Sequence, residues 1–267
     1  MALITESYKN GLSTMCDFVK DWRIIHLLGF NSLRRRYARS KIGQFWITIN
    51  LGVVVLALGL LWSQLWRLPI SEFVPHVAAS TVIFTYVSGT LMAARGNLQA
   101  HSSYFINNRL SHSVSISGMI YEQGITLLHN FIIIVLLSLF FQVKPTIYLF
   151  TVPFSLIIIT AILYMASYII AYICLRYRDM IEVVGSILQV TYFLTPIMWT
   201  SDLLPDHLEP YLYINPVAAM VEIVTDPILG RQVDPNAIYM VVGLFLVLLV
   251  ITPFVVSRNH KRAIYWM

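Results

Sequence analysis

The sequence predicts an all-α, polytopic membrane protein: six transmembrane helices, an amino-terminal amphipathic interfacial helix and two short external re-entrant helices, all in one domain over residues 1–267. Three observations carry this. Of the 267 residues 58% are hydrophobic and only 12% are charged, roughly half the charge of an ordinary soluble domain. The apolar residues come in solid blocks, whereas a membrane barrel alternates within segments of about ten residues. A dense basic knot then abuts the first long apolar run. Arg34, Arg35, Arg36, Arg39 and Lys41 lie within eight residues, and the next charge is Arg67.

Met1–Asn10 carries mixed charges and no apolar core with a cleavage site, so it does not read as a signal peptide. Residues 13–30 follow as an amphipathic helix. Thr14 and Asp17 resemble a capping pair. Phe18, Trp22, Ile25 and Leu28 recur at helical spacing between Asp17, Lys20, Asp21 and Arg23. Such a helix is too polar to span and fits the interface plane. A span needs about 20 apolar residues, and six runs qualify: 42–66, 73–94, 118–141, 146–175, 182–200 and 236–257. Trp62 and Trp66 mark an outer aromatic belt. With both termini cytosolic, only Arg67, Lys144 and Arg231 of the 18 Lys and Arg fall outside, as the positive-inside rule requires. Cys16 and Cys174 have no metal spacing and need no disulfide.

Two loops are more than connectors. Residues 95–117 form a polar cytosolic loop, long for a hairpin between spans. Residues 201–235 are external and hold Pro205, Pro210, Pro216, Pro227 and Pro235 with six acids. Within it, 208–214 and 217–224 are apolar enough to dip back into the outer leaflet, which irregular backbone tolerates only when buried in protein or lining a wet cavity. A lid lying on the surface is the other reading.

The chemistry that is absent narrows the function. No phosphate loop of the form Gly-x-x-x-x-Gly-Lys-Ser/Thr occurs, so this chain does not hydrolyse ATP through one. Ion-coupled carriers place ionisable groups near the midplane. Here only His129 stands near a span centre, beside Asn130, a pair suited to helix–helix hydrogen bonding. Asp179 and Glu182 adjoin Arg176 and Arg178 and read as a salt-bridged loop, not as an acid pair for group transfer. The chain reads as a conduit driven by a separate ATPase. Aromatics supply the remaining signal, at 13% of residues. Tyr164, Tyr168 and Tyr172 share one helical face; Tyr192, Phe193, Trp199 and Trp46 are candidate pore aromatics. Such faces stack on sugar rings, and they equally pack helices or anchor at interfaces.

Several motifs, in this order and spacing, resemble a known family. Arg36-Tyr37-x-x-Ser40-x-Ile42-Gly43-x-x-Trp46 is similar to the start of the first span in type-2 ABC exporter permeases. Tyr177-Arg178-Asp179-Met180 with Leu194-Thr195-Pro196-Ile197-Met198-Trp199 resembles their fifth span. Asn215-Pro216 and Pro227-Ile228-Leu229-Gly230 resemble their external gate segment. His129-Asn130 and Ile264-Tyr265-Trp266 are similar to the O-antigen branch. The resemblance implies a homodimeric permease of the bacterial inner membrane that exports a lipid-linked polysaccharide. It implies a pore between the first and fifth spans of the two copies. It also implies two cytosolic ATPase subunits, which would hold the ATP and Mg; no cofactor is expected in this chain, and no nucleic acid partner. In the coupling segment the matching residues are Tyr104, Phe105, Asn107, Asn108 and Arg109. Ser111-His112 stands where the family often has Pro, and Thr225-Asp226 where it often has Arg.

The site residues expected are therefore these. Arg34, Arg35, Arg36, Arg39, Lys41 and Gly43 would meet an undecaprenyl-diphosphate head, arginine being suited to bidentate phosphate contacts; the same charges also serve topology and anionic lipid binding. Asn215, Pro216, Pro227 and Gly230 would form the outer gate. Open alternatives are another cargo (a drug, teichoic acid or capsular chain), a glycosyl- or acyltransferase on the same lipid, and an ion-coupled carrier using His129.

Overall fold

The computed structural model describes residues 2–38, 40–43, 45–108, 110–205, 207, 212 and 214–267. Ten helices are defined among them: α1 Ala2–Cys16, α2 Trp22–Tyr37, α3 Phe45–Trp66, α4 Ile70–Ala100, α5 Ser102–Asn108, α6 His112–Phe140, α7 Val152–Arg176, α8 Met180–Leu194, α9 Pro216–Ile228 and α10 Pro235–Asn259. Short 3₁₀ turns cover Asp17–Val19, Ile147–Thr151, Ser201–Leu203 and Ala263–Tyr265.

Helix α4 is the axis of the bundle. Its 31 residues span about 46 Å at 1.5 Å per residue, and it packs against α3, α6, α7, α8 and α9. Every residue from Phe73 to Phe84 is buried, so this part is covered around its whole circumference, as an enclosed helix is. Small residues Ala78, Ala79, Ser80 and Thr81 are buried along it and let neighbouring backbones approach. By contrast α3 buries only Val55, Gly59 and Ser63, a single stripe at four-residue spacing. At Gly59 an added Cβ would stand 3.0 Å from Val74. Much of the rest of α3 is exposed apolar surface, including Phe45, Trp46, Val53, Leu61 and Leu65, while Leu51, Leu58 and Trp62 pack partly against the core.

Among the described residues five helices are long and apolar enough to cross a membrane: α3, α4, α6, α10, and α7 with the turn before it. The expected fifth span, 182–200, is met by a shorter helix. Its helix α8 has 15 residues and stops at Leu194. Its length of about 22 Å falls short of a hydrocarbon core of about 30 Å. The cause is local: Pro196 disfavours helical backbone at the residue before it, and Thr195 is extended. The other runs begin or end several residues away from expectation, most clearly where α4 continues through Arg95 to Ala100 and α6 starts at His112.

The single amphipathic helix over 13–30 is corrected. Two helices meet at a 3₁₀ turn over Asp17–Val19. Thr14 is no cap; its hydroxyl donates to the Asn10 carbonyl inside α1 at 2.9 Å. Helix α1 packs on α10. Pro253 lacks an N–H, so the Leu249 carbonyl four residues earlier loses its helical donor. Tyr8 Oη donates to that carbonyl at 3.4 Å, and Gly11 lies directly against the Pro253 backbone. Helix α2 packs on α6 at a close crossing, where an added Cβ on Gly29 would stand 2.6 Å from Tyr121 and 2.8 Å from the Gly118 carbonyl. Leu27 and Phe30 are exposed away from that crossing, whereas of the expected apolar face Ile25 is buried and Trp22 borders a cavity with Tyr121.

Of the two expected re-entrant helices, 208–214 lies outside the described residues apart from positions 212 and 214. Residues 217–224 fall within α9, which is longer and is buried against α4, α7 and α10.

Candidate functional site

The basic knot stands on the last turn of α2 and the link to α3. Arg34, Arg35 and Lys41 are exposed; Arg39 lies outside the described residues. Arg36 differs from its neighbours. Its Nη2 is 2.9 Å from Oε1 of Glu122, a carboxylate whose side chain is only 10% exposed. The contact is an ion pair by distance without the alignment of a hydrogen bond. Arg36 thus fastens α2 to α6 while about half of its side chain stays exposed, at 53%. Gly43 has φ +64, a left-handed value that favours glycine, and its N–H donates to Ser40 Oγ at 3.1 Å. That turn sends the chain from α2 into α3.

The aromatic candidates separate. Tyr168 and Tyr172 are buried inside one copy. Tyr164 Oη donates to the Met15 carbonyl at 2.7 Å. This stack holds α1 and α6 to α7; Tyr168 and Tyr172 are closed to a passing ligand, while Tyr164 borders a cavity of about 610 Å³ beside α2 and α6. Trp46 is 53% exposed on the first turn of α3. Trp199 donates from Nε1 to the Phe193 carbonyl at 3.3 Å, closing the outer end of α8.

Tyr192 and Phe193 belong to a cavity of about 620 Å³ between α4 and α8. Phe84, Ser88, Met92 and Arg95 line it from α4; Glu182, Gly185, Ser186, Gln189 and Tyr192 line it from α8. Tyr192 meets Phe84 edge to face at 5.1 Å, while Phe193 is 63% exposed. At the other end Arg95 Nη1 donates to the Ile181 carbonyl at 2.5 Å. It lies over Gly185, where an added Cβ would come within 2.8 Å. Ring faces, an amide, hydroxyls and one charge of each sign therefore share a single wall. Sequence reasoning missed Ser88, Arg95, Gly185, Ser186 and Gln189. The signal was present: 182, 185, 186, 189, 192 and 193 repeat at helical spacing on one face of α8.

The expected salt-bridged loop is not formed. Neither Asp179 nor Glu182 forms an ion pair with Arg176 or Arg178; the ion pairs observed lie elsewhere, at Lys20–Asp17 and Arg36–Glu122. Arg176 instead stacks over the rings of Tyr177 and Trp266, at 5.2 and 5.3 Å. Among the described residues no carboxylate pairs with His129; its Nδ1–H donates to the Ile125 carbonyl one turn back at 2.9 Å.

The gate candidates define the ends of α9. Asn215 Oδ1 accepts from the Val217 N–H at 3.0 Å, and its Nδ2 donates to Thr195 Oγ1 at 3.0 Å. Pro216 opens the helix, where its missing N–H costs nothing. Pro227 is buried in the last turn. Gly230 ends it with φ +78, the left-handed residue common after a helix. In the coupling segment, Phe105 is buried and meets His112 edge to face at 4.7 Å, while Tyr104 is exposed. Asn107 and Asn108 continue the α5 backbone; Arg109 lies outside the described residues. Ser111, in place of the family's proline, caps α6 by accepting from the Ser113 N–H at 3.3 Å.

No curated protein matches this chain significantly. The family model described as "ABC-2 type transporter" matches residues 25–229, from the first turn of α2 to the end of α9 and so across the basic knot, the α4–α8 cavity and the coupling segment. This multi-pass membrane protein therefore belongs to the ABC-2 type transporter family, as a membrane-spanning permease component that lacks the ATPase domain.

Proposed function

We propose that this chain is the permease subunit of an ATP-driven exporter carrying a lipid-linked polysaccharide, O-antigen-like, from cytosol to periplasm across the bacterial inner membrane. The observation that carries the reading is the α4–α8 cavity, which joins Phe84, Tyr192 and Phe193 to Gln189, Ser88 and Ser186. A glycan needs that combination: flat faces for its C–H surface and neutral donors and acceptors for its hydroxyls. The exposed Arg34, Arg35 and Lys41, beside the exposed apolar start of α3, suit an amphiphile with a diphosphate head. In this reading Arg39 joins them, α8 is the sixth, shortened span, both termini are cytosolic, and α9 is a re-entrant outer gate framed by Asn215, Pro216, Pro227 and Gly230. Two copies form the pore, with Trp46 and Trp199 along it. Two ATPase subunits holding ATP and Mg dock at Tyr104, Phe105, Asn107, Asn108 and Arg109.

The test is reconstitution of the permease with its co-purifying ATPase in liposomes. Undecaprenyl-diphosphate-linked glycan is expected to stimulate hydrolysis and to become accessible on the opposite side. Gln189→Leu with Tyr192→Ala should reduce that transfer about tenfold, leaving basal hydrolysis unchanged. Equal stimulation by teichoic acid or a hydrophobic drug with none by the glycan would overturn the cargo.

A further inference from the structure

We propose that the turn after α10 is a second part of the ATPase docking face, with Ile264 and Tyr265 as its anchors and an acid-rimmed surface of the ABC ATPase subunit as its occupant. This rests on the permease reading.

The geometry of the turn sorts its side chains. In a 3₁₀ turn residues i and i+3 share a side, so Ala263 and Trp266 face one way and Ile264 and Tyr265 the other. Ala263 is fully buried, in the same apolar cluster as Phe105 of α5. Trp266 lies under the Arg176 guanidinium at the end of α7. The turn also packs directly against α5. Its inner side is thereby fixed to the coupling helix and to the tip of α7. Its outer side leaves Tyr265 88% and Ile264 54% exposed, alongside the exposed Tyr104 of α5.

The surroundings say what covers this surface. Arg176, Arg178, Lys261 and Arg262 are all exposed around it. A hydrocarbon environment does not suit four cations, and an aromatic centre with a charged rim is the composition of a protein interface. The positive rim fits an acidic partner, and continuity with α5 places that partner where an ABC ATPase must engage. Tyrosine is enriched among the residues that dominate such interfaces.

The experiment uses the full-length permease co-expressed with the nucleotide-binding chain that co-purifies with the unaltered protein. Ile264→Asp with Tyr265→Asp is expected to lower the bound ATPase about tenfold or more at equal permease yield, and Tyr265→Phe to retain it. In parallel, a photoreactive phenylalanine analogue at position 265, in otherwise unaltered permease, is expected to crosslink to the ATPase in membranes. This arm remains decisive where the double variant folds poorly. Full ATPase retention by the double variant, or crosslinks from 265 only to lipid, overturns the proposal. Absence of any ATPase from the unaltered protein would instead overturn the permease reading itself.

Discussion

Arg36→Ala offers a direct test of the division within the basic knot. The substitution leaves the Glu122 carboxylate, 10% exposed, without its cation at 2.9 Å. Two unit charges about 4 Å apart attract by about 1 kcal/mol in water and about 4 kcal/mol at the effective dielectric near a protein surface. Arg36 is 53% exposed, so solvent screening discounts the larger figure and desolvation of Glu122 offsets more of it. A net loss of about 1–2 kcal/mol follows, or a thermal midpoint roughly 3–6 °C lower for a chain of this size. Arg35→Ala removes no partner and is expected to change the midpoint by less than about 1 °C. Adding Glu122→Gln to Arg36→Ala neutralises the orphaned carboxylate, so about half of the loss should return. The assay is thermal unfolding of the detergent-purified permease, with the unaltered protein and the three variants side by side. Equal midpoints for Arg35→Ala and Arg36→Ala, or no recovery in the double variant, would refute the assignment of Arg36 to the α2–α6 contact.

Two further predictions concern α8 and the end of α10. Gly185→Ala forces the Arg95 guanidinium off α8, because the new Cβ would stand 2.8 Å from Nη1; losing a charged hydrogen bond at about 1.5–3 kcal/mol, against about 1 kcal/mol of helix propensity gained, leaves a net loss of about 1 kcal/mol. Combining it with Arg95→Gln should cost little more than either alone, and additive midpoints would sink the contact. Burial holds His260 below the ordinary imidazole range, with Asp17 opposing and Lys261 reinforcing that shift; the ring of His112 also faces it at 4.6 Å. The unfolded imidazole takes up a proton near pH 6.5 while the folded one stays neutral, so stability is full above that pH and is lost as pH falls below it. His260→Gln should flatten the fall in thermal midpoint between pH 7.5 and 5.5, and an unchanged slope would reject the role.

The long apolar helices were legible because each is a single run of composition, bounded by charges that no bilayer accepts. The break at Asp17–Val19 was not, because Phe18, Trp22, Ile25 and Leu28 keep a helical period straight across it. The tyrosines of α7 illustrate a different limit. Spacing shows that Tyr164, Tyr168 and Tyr172 share a face, but their cover comes from Met15 and Ser113, which only the tertiary fold brings near. Arg36 and Glu122 are likewise 86 positions apart, and nothing local in either segment marks the pair. The end of α8 was legible in principle: hydropathy continues to Trp199, but Pro196 overrides it through the backbone of Thr195.

That early stop gives α8 its particular position. Leu188 is the one buried residue described along its whole length, so apolar burial anchors it far less than α4 or α9. Its two ends are instead held by polar contacts, Arg95 to the Ile181 carbonyl at one and Asn215 to Thr195 at the other. Between them lies the cavity face with Gln189 and Tyr192. A helix with few buried apolar contacts sits at the low-stability end of a fold, where local motion is drawn from. The Asn215 contact then has a mechanical consequence. Displacement of α8 from α4 pulls on Thr195, and through the Asn215 amide on the first turn of α9. The cavity wall and the first turn of α9 are therefore joined by one hydrogen bond of 3.0 Å, and the extended backbone at Thr195 is what makes that bond geometrically available.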